Sequence, residues 1–219
     1  MIFYKSGRRL YTKGPNRQVR SAAQVSVPTF LKSAAAPRDF PSDTGLEVAF
    51  VGRSNSGKST ALNALLGARK LARVSKTPGR TQLVNFFDVG RDRRVVDLPG
   101  YGFARVPAQV RDRWRGLLEA YFDARRSLVG LVVTVDIRRG LAAMDYQMLE
   151  WVAPLELEVA VLLTKADKLS RTRAIAAERA AAQELASVVW LRRFSAIDGA
   201  GVADARAWLG DRLADSEKK

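Results

Sequence analysis

The sequence predicts an open α/β sheet of six mostly parallel strands, one of them antiparallel, with helices on both faces. Three observations carry this. From Leu46 onward short apolar runs alternate with longer helical patterns, the mark of repeated strand and helix units. Only one connection between runs is short, so the other strands have room for crossover helices. Finally, Gly52-Arg53-Ser54-Asn55-Ser56-Gly57-Lys58-Ser59 matches the phosphate-binding pattern G-x-x-x-x-G-K-[ST], set between an apolar run and a helical one.

In chain order, the strand-like runs are Leu46 to Val51, Leu83 to Val89, Arg94 to Leu98, Leu128 to Val135, Glu158 to Leu163 and Val188 to Phe194. Helical patterns fill Lys58 to Leu66, Ala108 to Arg125, Ala142 to Val152, Thr172 to Ser187 and Val202 to Leu213. The short connection, Val89-Gly90-Arg91-Asp92-Arg93, carries a glycine and suits a hairpin, which sets the second strand antiparallel to the third. Residues 1–45 read as a basic leader, ordered in part at most, that drapes over the domain and stays outside its sheet. Residues 46–214 read as one domain and 215–219 as a disordered tail. The alanine-rich Ala174 to Ala182 needs no function beyond good helix formation.

The 219 residues suffice for a core of ordinary size, and no apolar run reaches the roughly 18 to 20 residues of a membrane-spanning helix. With neither cysteine nor histidine, disulfides and thiolate metal sites are excluded and zinc chemistry is disfavoured. A soluble, cytoplasmic monomer is expected. The net charge of +15 is unevenly spread. Lys5, Arg8, Arg9, Lys13, Arg17, Arg20, Lys32 and Arg38 fall within residues 1–38, which hold no acid. That leader reads equally as a solvated arm or as a contact to a polyanion such as RNA, and the two readings are compatible. Gly14 and Pro15 interrupt the helix that a transit peptide would need.

Gly52 and Gly57 permit the backbone turns that aim successive N–H groups at phosphates, assisted by the helix start at Lys58 to Thr60. Lys58 adds a charge for the β- and γ-phosphates, and Ser59 offers its hydroxyl to Mg²⁺. Asp97-Leu98-Pro99-Gly100 follows a strand and places a carboxylate near that ion and the Gly100 N–H near a γ-phosphate. Between them, residues 71–82 are polar and punctuated by Pro78 and Gly79, suited to ordering around the γ-phosphate. Thr77 and Thr81 both present hydroxyls there; Thr81 is favoured as the second Mg²⁺ ligand because it adjoins the next strand.

Thr164-Lys165-Ala166-Asp167 fits the guanine-reading [NT]-K-x-D element. Asp167 can accept from guanine N1–H and N2–H₂, a pattern that adenine cannot donate, while Lys165 can lay its stem along the ring. Phe194-Ser195-Ala196 ends the last run, where a backbone N–H can meet guanine O6. Four such elements in order, each after a strand, point to GTP and GDP.

These residues resemble the EngB (YihA-type) GTPases of the TrmE-Era class. The resemblance rests on EVAFVGRSNSGKST at 47–60, SKTPGRTQLVNFF at 75–87, DLPGYGFARV at 97–106, DIRRGL at 136–141 and TKADKL at 164–169. It implies a Ras-like P-loop fold, magnesium-dependent GTP hydrolysis, and a role with the precursor of the large ribosomal subunit and its RNA, with a septation phenotype. Nucleotide contacts then carry over to residues 52–60, to Gly79, Arg80, Thr81, Gln82 and Leu83, to 97–100, to 164–167 and to 194–196, and Mg²⁺ contacts to Ser59 and Thr81. Catalysis is expected from Lys58, Thr81, Gly100 and Asn55. Many GTPases use a glutamine just after DxxG; Tyr101 stands there, so unaided hydrolysis should be slow. Related proteins hold K⁺ on an asparagine at the position of Asn55, and the competing reading makes Asn55 a brace of the loop.

Overall fold

A computed structural model describes residues 27–68, 71, 83–102, 108–185 and 189–214. Seven strands form one sheet in the order β1-β3-β4-β2-β5-β6-β7. They are β1 (Thr29–Ala34), β2 (Leu46–Gly52), β3 (Val84–Asp88), β4 (Arg93–Asp97), β5 (Leu128–Asp136), β6 (Glu158–Thr164) and β7 (Trp190–Arg193). The helices are α1 (Lys58–Leu65), α2 (Ala108–Ala124), α3 (Ala143–Val152), α4 (Arg171–Glu184) and α5 (Val202–Arg212). β3 runs antiparallel to both neighbours and the remaining pairs are parallel.

The central strands are apolar on both faces because both faces are covered. Along β2, Ala49 and Val51 join one cluster with Leu117, Leu118 and Tyr121 of α2, Met148 and Val152 of α3, and Ala174 and Ala181 of α4. Val48 and Phe50 join the other with Ala61, Leu62 and Leu65 of α1 and Ala205, Trp208 and Leu209 of α5. β6 repeats the alternation, Val161 and Leu163 on one side and Ala160 and Leu162 on the other. Each Val, Leu, Phe or Met among them contributes roughly 1.5–3 kcal/mol by leaving water. The alternation also fixes register, since a slip of one residue would exchange the two cores.

The predicted hairpin is present. Gly90, Arg91 and Asp92 all take left-handed backbone angles, and the Gly90 amide donates to Asp88 Oδ1 at 2.7 Å.

Two expectations are corrected. The sheet has seven strands, and residues 29–34 lie inside it as β1, paired antiparallel with β3 from Thr29↔Asp88 to Ala34↔Val84. The physical reason is that β3 would otherwise present an unpaired edge. Phe30 meets the Phe87 ring edge-on at 5.9 Å, Ser33 donates to Asn85 Oδ1 at 2.6 Å, and Ala34 is buried. Residues 1–26 and 215–219 lie outside the described residues.

The entry into β2 is anchored at the pole of the sheet where the parallel strands begin. Glu47 is completely buried and accepts from Arg94 Nε at 2.7 Å, from the Tyr121 hydroxyl at 3.0 Å, and from Arg125. Arg125 also donates to the Pro41 carbonyl at 2.7 Å, and Arg94 to that of Thr44, so the two guanidiniums tie residues 41–44 down. Phe40 packs on Phe86 and Tyr121.

Candidate active site

The carboxyl ends of β2, β4, β5 and β6 meet at the opposite pole, where open α/β sheets bind ligands. β2 ends at Gly52, and the loop that follows is braced from beneath by side chains pointing into the protein. Ser56 Oγ shares a hydrogen bond with Thr134 Oγ1 at 2.7 Å, and Thr164 Oγ1 donates to the Ser56 carbonyl. A Cβ at Gly52 would sit 2.1 Å from Thr134 Oγ1, so only glycine fits there. Gly57 adopts φ 92° as α1 begins. The amides of Asn55, Gly57, Lys58 and Ser59 have no acceptor among the described residues, which leaves them for an anion at the helix start.

β4 lies beside β2 and ends at Asp97, whose carboxylate takes an ion pair from Lys58 Nζ. Leu98 is buried and hydrogen-bonded to the Phe50 carbonyl at 2.9 Å. Tyr101 returns to the phosphate loop, its amide donating to the Gly52 carbonyl at 3.1 Å and its carbonyl accepting from Ser54 at 2.8 Å. A Cβ at Gly100 would come within 3.1 Å of the Gly52 carbonyl, so the DLPG turn and the phosphate loop are in close contact. The Tyr101 ring turns inward: its hydroxyl donates to Asp145 Oδ1 at 2.7 Å, and burial, followed by the Asp145 charge, pushes its pKa far up. Arg53 approaches the same carboxylate at 3.8 Å.

The guanine element is joined to the phosphate loop directly. Lys165 has φ 60°, and its Nζ donates to the Asn55 carbonyl at 2.6 Å and to Asp136 Oδ2 at 2.9 Å. Asp167 accepts from Ser195 Oγ at 2.9 Å and pairs with Lys168 at 3.1 Å. Burial works to raise the Asp167 pKa, but the Ser195 and Lys168 hydrogen bonds outweigh it and hold the carboxylate ionised, as an acceptor for guanine must be. Ala166 donates to the Phe194 carbonyl at 3.1 Å. The Ser195 amide is taken by the Ala200 carbonyl at 2.9 Å, whereas the Ala196 amide has no acceptor among the described residues and is open to an incoming oxygen.

The structure therefore gathers residues 52–60, 97–100, 164–167 and 194–196 at one pole. Leu83, half-buried, leads into β3. Gly79, Arg80, Thr81 and Gln82 lie outside the described residues, and with them the second expected Mg²⁺ ligand. The remaining donors fit a hard cation: the Ser59 hydroxyl opens α1 with no hydrogen-bond partner among the described residues, and the Asp97 carboxylate faces that same turn through Lys58. Asn55 takes φ 62°, is exposed, and its side-chain amide makes no hydrogen bond among the described residues. Reading the sequence for the site missed Asp136, Thr134 and Asp145. Asp136 was within reach as the residue ending the apolar run of β5, the same signal that drew attention to Asp97.

A mixed sheet with a phosphate loop after β2, a DxxG turn after β4 and a guanine-reading pair after β6 and β7 defines a Ras-like GTPase domain. Residues 47–165 match the family model described as 50S ribosome-binding GTPase. The chain belongs to the EngB family of GTP-binding proteins. It is 49% identical to the probable GTP-binding protein EngB of Pasteurella multocida over 85% of this chain and 94% of that one. For the protein of the same description from Tolumonas auensis the identity is 47%, over 83% and 87%. The fold is shared with a crystal structure of a probable GTP-binding protein EngB, at 22% identity and TM-score 0.62, covering 76% of this chain and 98% of that one. Era in complex with MgGDPNP and a 16S ribosomal RNA segment has the same fold, at 21% identity and TM-score 0.61, covering 79% and 58%.

Proposed function

We propose that this GTPase is a magnesium-dependent switch in assembly of the large ribosomal subunit, its GTP form binding a precursor particle and hydrolysis releasing it, and that normal septation depends on this step. The observation that carries the reading is the match of residues 47–165 to a family of 50S ribosome-binding GTPases. The charge of +15, with eight cations and no acid before residue 39, suits an RNA-rich partner.

Hydrolysis of this kind is mostly positioning and charge neutralisation. Lys58 and the amides of Asn55, Gly57 and Ser59 hold the phosphates, and the Gly100 N–H meets the γ-phosphate. Ser59 and Thr81 would hold Mg²⁺, which would supply charge neutralisation to the phosphates. The group that orients water has to come from outside the Tyr101 position, because that hydroxyl is committed to Asp145. Intrinsic hydrolysis is therefore slow, and Asn55 is the candidate ligand for a stimulating K⁺. The protein acts as a cytoplasmic monomer; among the described residues no helix is long and apolar enough to cross a membrane.

The test is cosedimentation with large-subunit precursor particles in a non-hydrolysable GTP analogue and in GDP. Tighter binding with the analogue is expected. Equal binding in both would overturn the switch and favour an RNA-binding module in which nucleotide only stabilises the fold.

A further inference from the structure

We infer that Asp136 is a positioning residue for nucleotide binding, clamping Lys165 where it bridges the phosphate loop and the base. This rests on the guanine-nucleotide reading of the site.

Asp136 ends β5 and is paired in register with Thr164, the residue before Lys165. Its carboxylate is buried, and the structure gives it four donors. Arg138 supplies three of them, its backbone amide at 3.1 Å and Nε at 2.9 Å to Oδ1, and its terminal nitrogen at 2.7 Å to Oδ2. Lys165 Nζ supplies the fourth, to Oδ2 at 2.9 Å. A lysine side chain has several freely rotating bonds to immobilise before it can lie still along a base. Here the ammonium is fixed at two points, the Asn55 carbonyl on the phosphate loop and the Asp136 carboxylate behind it. The lysine stem is thereby set in place before any base arrives.

The carboxylate also closes its own turn: the Arg139 and Gly140 amides donate to the Asp136 carbonyl at 2.9 and 3.2 Å, and the Arg138 amide to its side chain. A role confined to bracing that turn predicts a different coupling with Lys165, and a double-mutant cycle separates the two.

The experiment measures GDP affinity for the full chain and for Asp136→Asn, Lys165→Met and the double variant, alongside thermal unfolding without nucleotide. The expected result is a loss of about tenfold or more in Asp136→Asn, the scale of one hydrogen bond to a charged group. The double variant should lose no more than Lys165→Met alone, because without the ammonium the carboxylate has nothing to position. Multiplicative losses, or wild-type affinity in Asp136→Asn, overturn the inference. Should Asp136→Asn fail to fold, the cycle is run with Asp136→Glu, which keeps the charge one methylene away; a several-fold loss absent from the Lys165→Met background is then expected, and a multiplicative one overturns. If the unsubstituted chain binds no GDP, the guanine reading itself falls and the inference with it.

Discussion

The Tyr101 hydroxyl donates to Asp145 Oδ1 at 2.7 Å, with Asp145 completely buried at the start of α3. A residue directly after the DLPG turn is thus pinned to a helix, while its own backbone is pinned to Gly52 and Ser54. Tyr101→Phe removes one donor from a buried carboxylate that keeps the Ala142 amide at 2.8 Å. Stability should fall by about 1–3 kcal/mol, read as a lower denaturation midpoint. Tyr101→Gln should not accelerate hydrolysis, because a side chain at this position points into the core; a faster turnover would contradict that.

Ser195 holds the guanine reader in place, donating to Asp167 and accepting from the Ile197 and Asp198 amides at 3.2 and 3.3 Å. Ser195→Ala should weaken GDP binding by about five- to tenfold, in line with loss of one such hydrogen bond. If Asp167 is the acceptor for the 2-amino group, which IDP lacks, titration with GDP and IDP should show a narrowed preference for GDP.

Burial would raise the Asp136 pKa, yet the Arg138 and then the Lys165 hydrogen bonds overcome it and hold the group well below its ordinary 3.8. With the folded pKa below the unfolded one, the unfolded chain takes up the proton first on acidification. The stabilisation is present above 3.8 and is lost as pH falls from there through the folded value. Denaturation midpoints measured downward from about pH 5 should decline more steeply for the natural chain than for Asp136→Asn.

Glu47 is the counter-ion of two buried guanidiniums. Glu47→Ala would leave both without it, a change that costs about 3–5 kcal/mol. Equilibrium unfolding in urea should show that loss, with residues 41–44 becoming protease-sensitive because their carbonyls lose the anchored arginines.

Asn55 has a left-handed backbone and a side-chain amide with no hydrogen-bond partner among the described residues, which suits ligation of a monovalent cation. GTP turnover should be faster in K⁺ than in Na⁺ at matched ionic strength, and Asn55→Ala should abolish the difference. Equal rates in the two salts would remove this role.

Much of this was legible because nucleotide grips are local. The loop 52–59, the DLPG turn and the TKAD element each sit at a strand end that apolar runs announce, and every strand from Leu46 onward fell within two residues of its expected bounds. β1 was hidden because its apolar residues Phe30 and Leu31 are adjacent instead of alternating, within a basic stretch, and its partner β3 is some fifty residues away. For Asp136 and Asp145 the hidden part was the partner. Asp136 shares the strand-end position of Asp97 and Asp145 reads as a helix cap, but only the folded chain reveals that Lys165 and Tyr101 reach them.

β1 has a geometric consequence for the basic leader. Thr29 pairs with Asp88 at the pole of Glu47 and the hairpin, while Ala34 pairs with Val84, beside the end of β4 that carries Asp97. Thr29 therefore lies the length of one six-residue strand, about 20 Å, from the pole of the sheet that carries the phosphate loop. Whatever acts on the Thr29 end of β1 and whatever happens beside Asp97 are separated by the length of one hydrogen-bonded ladder. Tension entering at Thr29 would be borne by β1 and passed through that ladder to β3.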